Sequence, residues 1–197
     1  MNPVLLDLPD QIFTPQLCLR GPRPGDGKEL NAAILESISE LKPWLPFARS
    51  TPTTDESEEN VRRAHAKFCL REDLRFHFYD RSSGKMLGSS GLHRIQWSLP
   101  SFEIGYWVRT EYQGKGYVSE AVNALTRFAF EYLQAKRVEI RCNARNVRSL
   151  AVMKRLGFNY EALLKMSDAH ALSIEDRDTL VYARFTADGL PALEVQW

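Results

Sequence analysis

Apolar side chains at Val118, Ala121, Val122, Leu125, Phe128, Ala129 and Tyr132 recur at the spacing of one helix face, which predicts an amphipathic helix over 118–133. The stretch before it has a different period. Phe102, Ile104, Tyr106 and Val108 alternate with Glu103, Gly105 and Trp107, the pattern of a strand with one buried face, and Glu103 falls on the other face. Beyond the helix, Val138, Ile140 and Cys142 alternate as a second strand. Asn146 then stands where a short helix would be capped, and that helix ends at Leu156 with Gly157 in the left-handed position after it. A strand, helix, strand crossover makes the two strands parallel, and ligands of open α/β sheets sit at the carboxyl ends of such strands.

The flanks follow the same reading. A first strand covers 16–20, and Asp26 with Glu29 resembles a capping box opening a helix marked by Leu30, Ile34, Ile38 and Leu41. A second helix begins near Asp55, with Glu58 three residues on, and buries Val61, Ala64 and Phe68. Residues 76–79 and 86–95 read as a hairpin, while 158–166 and 179–185 are two strands joined by a loop of about a dozen residues.

Between the strand at 102–108 and its helix lies Gln113-Gly114-Lys115-Gly116-Tyr117. Glycines let backbone approach a ligand closely, and amides at a helix start carry partial positive charge, so this turn is a candidate anion cradle. Ser119 holds the place of the third glycine of a dinucleotide fingerprint, and the Gly-Lys-Ser/Thr of a P-loop is missing.

The 197 residues carry a formal charge of +1, which argues against nucleic acid or an anionic membrane as partner. Charge is local: Lys136, Arg137, Arg141, Arg145, Arg148, Lys154 and Arg155 surround a single acid, Glu139, which points to a polyanionic ligand. Most of these side chains are expected on solvated faces. Cys18, Cys69 and Cys142 are widely spaced, giving neither a disulfide framework nor a zinc site. With 44% hydrophobic residues but no run of 18 apolar ones, the chain reads as a soluble, cytoplasmic protein of one domain.

Taken in order, Leu41-Lys42-Pro43-Trp44, Glu103-Ile104-Gly105-Tyr106-Trp107, Gln113-Gly114-Lys115-Gly116-Tyr117 with Glu120-Ala121, Asn146-Val147-Arg148-Ser149, Leu156-Gly157-Phe158 and Arg177-Asp178-Thr179-Leu180 resemble the GNAT superfamily of acyl-CoA-dependent N-acetyltransferases. Within it they are most similar to the Rim-type enzymes that acetylate ribosomal-protein N-termini. The resemblance implies a single α/β domain over 1–197, with 1–10 and 186–197 as terminal extensions. Its mixed sheet of six or seven strands would be flanked by about four helices and splayed between the strands ending at Val108 and Cys142. By the same resemblance, acetyl-CoA binds in that gap. Amides from Gln113, Gly114, Lys115, Gly116, Tyr117 and Val118 hold its pyrophosphate, backbone near Trp107 and Val108 pairs with the pantetheine arm, Asn146 bonds that arm, and Arg155 or Lys154 meets the remaining phosphate. No metal is implied, and a homodimer stays open.

The chemistry is attack of a neutral amine on a thioester, without a covalent enzyme intermediate, so it needs a proton acceptor and a proton for the leaving thiolate. Glu103 is the expected base, through water. Met153 stands where the superfamily often has an acidic tyrosine, which leaves Ser149 as the expected acid. Trp44, Phe47 and His170 are the expected acceptor-side residues, with Asp168 and Glu175 near the last of these. His77 and His93, on the hairpin, are read as structural or surface residues. The expected acceptor is a protein N-terminal amine, since an α-amine titrates near ~8 and a weak base suffices. A small amine (polyamine, aminoglycoside or aminoacyl-nucleotide) and a catalytically idle acyl-CoA-binding module are the alternatives.

Overall fold

The computed structural model describes residues 2–168 and 178–197. His170 and Glu175 lie outside the described residues.

Two short antiparallel strands, β1 (Gln11–Phe13) and β2 (Leu17–Arg20), start the sheet and pair from Gln11 with Arg20. Then come α1 (Gly27–Leu41) and α2 (Thr54–Leu70), followed by the hairpin β3 (Leu74–Asp80) and β4 (Met86–Gln96) and by β5 (Ser101–Val108). The crossover helix α3 (Tyr117–Arg127) runs on as a π-helical turn, Phe128–Tyr132, to β6 (Arg137–Asn143). Last are α4 (Val147–Arg155), β7 (Asn159–Leu164) and β8 (Thr179–Arg184). The strands form one sheet in the order β1-β2-β3-β4-β5-β6-β8-β7. Eight strands stand where six or seven were expected. The extra one is β1, whose three residues are too few for an alternation to be read.

One side of the sheet packs Phe76, Leu92, Phe102 and Ile104 against Ala121, Val122, Leu125 and Phe128 of the crossover helix, all buried. The other side sets Tyr79 and Met86 against Leu30, Ala33, Ile34 and Val61 of α1 and α2. The expected capping box at Asp26 does not form. Its carboxylate accepts from Arg20 at 2.7 and 2.8 Å and from the Arg23 amide, while Glu29 accepts from the amide of Met86. The box that does form opens α2 and joins Thr53 to Glu56. Glu58 instead accepts from the amides of Gly25 and Gly27, tying the start of α2 to the start of α1.

The feature that positions the site is a partial pairing. β5 and β6 run parallel but pair only at Ser101–Arg137, Phe102–Val138 and Glu103–Glu139. From Ile104 onward β5 keeps β4 as its partner and its other edge opens into a cleft. At the sheet's far side the chain end closes β1, with Phe13 and Gln196 exchanging two backbone hydrogen bonds.

Candidate active site

The cleft is walled by the glycine turn. Gly114 and Gly116 have φ of 74° and 89°, and a Cβ built on either would meet nothing within 4 Å. Gly116 caps α3 without a side-chain bond, and the helix's first backbone bond runs from Glu120 to Gly116. The amides of Tyr117, Val118 and Ser119 are therefore left for a ligand, as at any helix start. Opposite, Asn146 caps α4 by accepting from the Ser149 amide at 3.0 Å. Between them is a cavity of about 670 Å³ lined by Trp107, Val108, Gln113, Gly114, Gly116, Tyr117 and Val118 on one side. Asn146, Arg148, Ser149 and Arg155 line the other. Arg155 donates to Ser119 beside the turn, and Arg148 donates to Gln113 and Glu40. Lys115 is not on the lining; its ammonium lies 4.9 Å from the centre of the Tyr112 ring. The cavity's unpaired strand edge, free helix amides and two flanking guanidiniums suit an extended ligand with a phosphate end.

Ser149 sits deeper. Its hydroxyl lies 2.8 Å from the hydroxyl of Tyr106, which also reaches the Ser149 carbonyl at 3.2 Å. When Tyr106 gives its proton to the serine oxygen, the serine hydrogen is free for a third atom in the cleft. Burial pushes the Tyr106 hydroxyl up, so it stays protonated. Burial likewise raises the Cys142 thiol, which suits a packing residue better than a nucleophile.

A second cavity, of about 320 Å³, lies between the sheet and the pair α1 and α2. Tyr106 and Trp107 line both cavities, so the two meet at the end of β5. Phe47 is here, its ring 6.1 Å from that of Trp107, whereas Trp44 is on the larger cavity. The two aromatic residues expected together beside the acceptor are thus divided. Its polar lining includes Arg75, His77, Ser89 and His93, with Glu56, Ser57, Asn60 and Ser90. His77 is fully buried: its Nδ1 lies 3.2 Å from the Ser89 hydroxyl, which can donate to the Phe76 carbonyl. Its Nε2 has no hydrogen-bond partner among the described residues. Burial lowers its pKa to about 3, so the ring is neutral. His93 holds Asp73 at 2.6 Å through Nδ1.

Glu103 lines neither cavity. Its side chain is 17% exposed, with one carboxylate oxygen 3.2 Å from Arg94 and 3.4 Å from Arg141. Burial raises its pKa and the two guanidiniums oppose that rise. The basic segment divides in the same way: Arg137 and Arg141 are held by Glu139, with Glu161 also on Arg137, while Arg148 and Arg155 face the larger cavity. Among the described residues no cluster of three or more His, Cys, Asp or Glu could hold a metal, and no helix is long and apolar enough to cross a membrane.

Three features of the site were absent from the sequence-based expectation. Tyr106 was read with the apolar face of its strand, and its hydroxyl partner comes from a residue 43 positions on. Arg148 was noted for its charge and within the stretch 146–149, with no role given to it. Asp73 carried no signal, because its link to His93 exists only once β3 and β4 pair.

Residues 16–159 match the acetyltransferase (GNAT) domain family. YdaF of Bacillus subtilis (strain 168), provisionally named a ribosomal N-acetyltransferase, is 33% identical over 140 residues, 68% of this chain and 73% of that protein. The ribosomal-protein-serine acetyltransferase of Escherichia coli (strain K12) is 28% identical over 77% of this chain and 84% of its own. Among solved structures, the microcin C7 self-immunity acetyltransferase MccE, in complex with acetyl-CoA and AMP, superposes with a TM-score of 0.80 at 22% identity, over 87% of this chain and 93% of that one. The chain belongs to the GNAT acetyltransferase family, as an acyltransferase that passes an acetyl group from acetyl-CoA to an amine.

Proposed function

We propose that the acceptor is the α-amine of a protein N-terminus, of the ribosomal-protein type. The observation that carries this reading is the meeting of the two cavities at Tyr106 and Trp107, in a chain whose relatives are named for ribosomal-protein acetylation. The larger cavity takes the donor and the smaller takes the terminal residue. The amides from Gln113 to Val118 hold the pyrophosphate, Lys115 adds charge to that turn, and the free edge of β5 at Trp107 and Val108 pairs with the pantetheine arm. Asn146 caps α4 and faces the same arm. Arg155, with Arg148 beside it, meets the remaining phosphate. Trp44 borders the donor and Phe47 the acceptor.

Holding donor and amine in contact supplies much of the acceleration by itself. The chain's own groups then move two protons. Ser149, aligned by Tyr106, gives its hydroxyl hydrogen to the departing sulfur and is repaid from the attacking nitrogen. The other proton must leave the ammonium before attack. Glu103 is on the acceptor face of the sheet, yet it lines neither cavity, so it takes part through an intermediary.

The test is to incubate the protein with acetyl-CoA and peptides beginning in Ser, Ala or Met, following thiol release. Turnover on peptides, with none on polyamines or aminoglycosides, is expected. Turnover restricted to the small amines would overturn the acceptor.

A further inference from the structure

We infer that Asp73 and His93 are the proton-accepting pair for the incoming amine, with His93 Nε2 the atom that takes the proton; this rests on the acetyl-transfer reading above. His93 and Glu103 are cross-strand partners, as are Gly91 and Gly105 and, further along, Ser89 and Trp107. Directly opposed residues share a sheet face, so all of these lie on the face that bears the smaller cavity, and Ser89, His93, Gly105 and Trp107 line it. The imidazole occupies the space that side chains at the two glycines would need. A Cβ on Gly91 would stand 2.8 Å from His93 Nε2, and one on Gly105 would stand 3.3 Å from its Cδ2. The ring therefore lies over a floor without side chains, directed along β5 toward the wall the two cavities share.

Asp73 fixes the chemistry of that ring. Its carboxylate, 2.6 Å from Nδ1, holds the hydrogen there and leaves the Nε2 lone pair for the cavity. Apart from Asp73, His93 has no hydrogen-bond partner among the described residues. The charges around the ring cancel one another, three carboxylates against three guanidiniums, so the imidazolium that forms is stabilised by its direct contact with Asp73. Asp73 precedes β3, Glu103 comes from β5 and Glu56 from α2; against them stand Arg75 on β3, Arg94 on β4 and Arg141 on β6. Arg75 donates to Asn60 of α2 at 2.6 Å. His77, also facing the cavity, stays neutral and can accept a hydrogen bond, but it cannot hold a proton near neutral pH. Glu103 is engaged by two arginines outside both cavities.

The step balances. One ammonium N–H bond breaks, its proton goes to His93 Nε2 and the electron pair stays on nitrogen. That pair forms the C–N bond to the thioester carbonyl carbon, and the C–S bond breaks. The second nitrogen proton becomes the thiol hydrogen by way of Ser149, and His93 returns its proton to water.

The experiment compares wild type with His93→Gln, His93→Ala and Asp73→Asn, as full chains, with acetyl-CoA and a Ser-starting peptide across about pH 5 to 10. His93→Gln should lose on the order of 10²-fold in kcat at neutral pH, the size of a general base's contribution. Its rate should climb continuously with pH where wild type reaches a plateau. Acetyl-CoA affinity should be unchanged, and the thermal transition should fall modestly because Asp73 loses its imidazole partner. Imidazole in the buffer should restore part of the activity of His93→Ala, and Asp73→Asn should lower kcat at unchanged KM. A wild-type pH profile in His93→Gln overturns the pair, whatever the absolute rate, and so does a failure of imidazole to rescue a folded His93→Ala. If wild type acetylates a polyamine and no peptide, the acceptor reading falls and the same comparison is made on that amine. If wild type acetylates no amine, the pair falls as well.

Discussion

Gly116 shows how little room single positions leave. Its φ of 89° is strained for any L side chain, by roughly 1–2 kcal/mol, yet the space above it is open. Gly116→Glu should therefore fold with a modest loss of thermal stability and bind no acetyl-CoA by calorimetry, because a carboxylate would occupy the cradle; retained affinity would remove the turn from the donor site. Ser149→Ala, which takes away a hydrogen bond to a developing charge, should lower kcat about 10- to 100-fold, in line with ~1.5–3 kcal/mol, at an unchanged KM for acetyl-CoA. An unchanged kcat would leave Ser149 as a helix residue alone. The turn at Gln113 to Gly116 and the Asn146 cap were legible in the sequence because turn and cap chemistry is local, whereas Ser149 came from the family resemblance alone. Tyr106 and His93 were not, since an alternation assigns a face but not what a hydroxyl or an imidazole meets across the sheet.

The elements themselves were set by periodicity, and their joints were not. α3, β5 and β6 follow the predicted spacing closely. The caps follow tertiary contacts: Asp26 has the sequence of a box but is taken by Arg20, and Glu58 reaches Gly25 and Gly27 while Glu56 completes the box with Thr53. Thr53→Ala should cost about 1 kcal/mol, read as a lower denaturation midpoint, with acetyl-CoA affinity unaltered because the box lies away from the donor cavity. A full-sized loss of affinity would mean that α2 helps shape that site. Gly105→Val tests the other joint. Its Cβ would press on His93, so peptide turnover should fall sharply while acetyl-CoA still binds; wild-type turnover would show that the glycine is not there to seat the imidazole.

At the scale of the whole molecule, the sheet stores an acid sensitivity. His77 is buried neutral, with a folded pKa of about 3 against an unfolded value near ~6.5. Between those values the unfolded chain binds the extra proton, so this group's contribution is complete above the unfolded value and is lost as pH falls, at about 1.4 kcal/mol per pH unit. Asp26 and Asp73, whose pKa values are lowered by hydrogen bonds, lose their contributions in the same direction at lower pH. Urea denaturation of wild type and His77→Gln over that range should give a shallower slope for the variant, and parallel slopes would contradict the assignment. The glycine turn and the parting of β5 from β6 were readable from the sequence and its resemblance; the smaller cavity is built from β3, β4, β5, α1 and α2 together and could not be. The decisive measurement is mass spectrometry of Ser-, Ala- and Met-starting peptides, each with an internal lysine, after incubation with acetyl-CoA and the protein. A single acetyl group on the α-amine, with the lysine untouched, is the predicted result. Unmodified peptides beside acetylated polyamine or aminoglycoside in the same assay would contradict it.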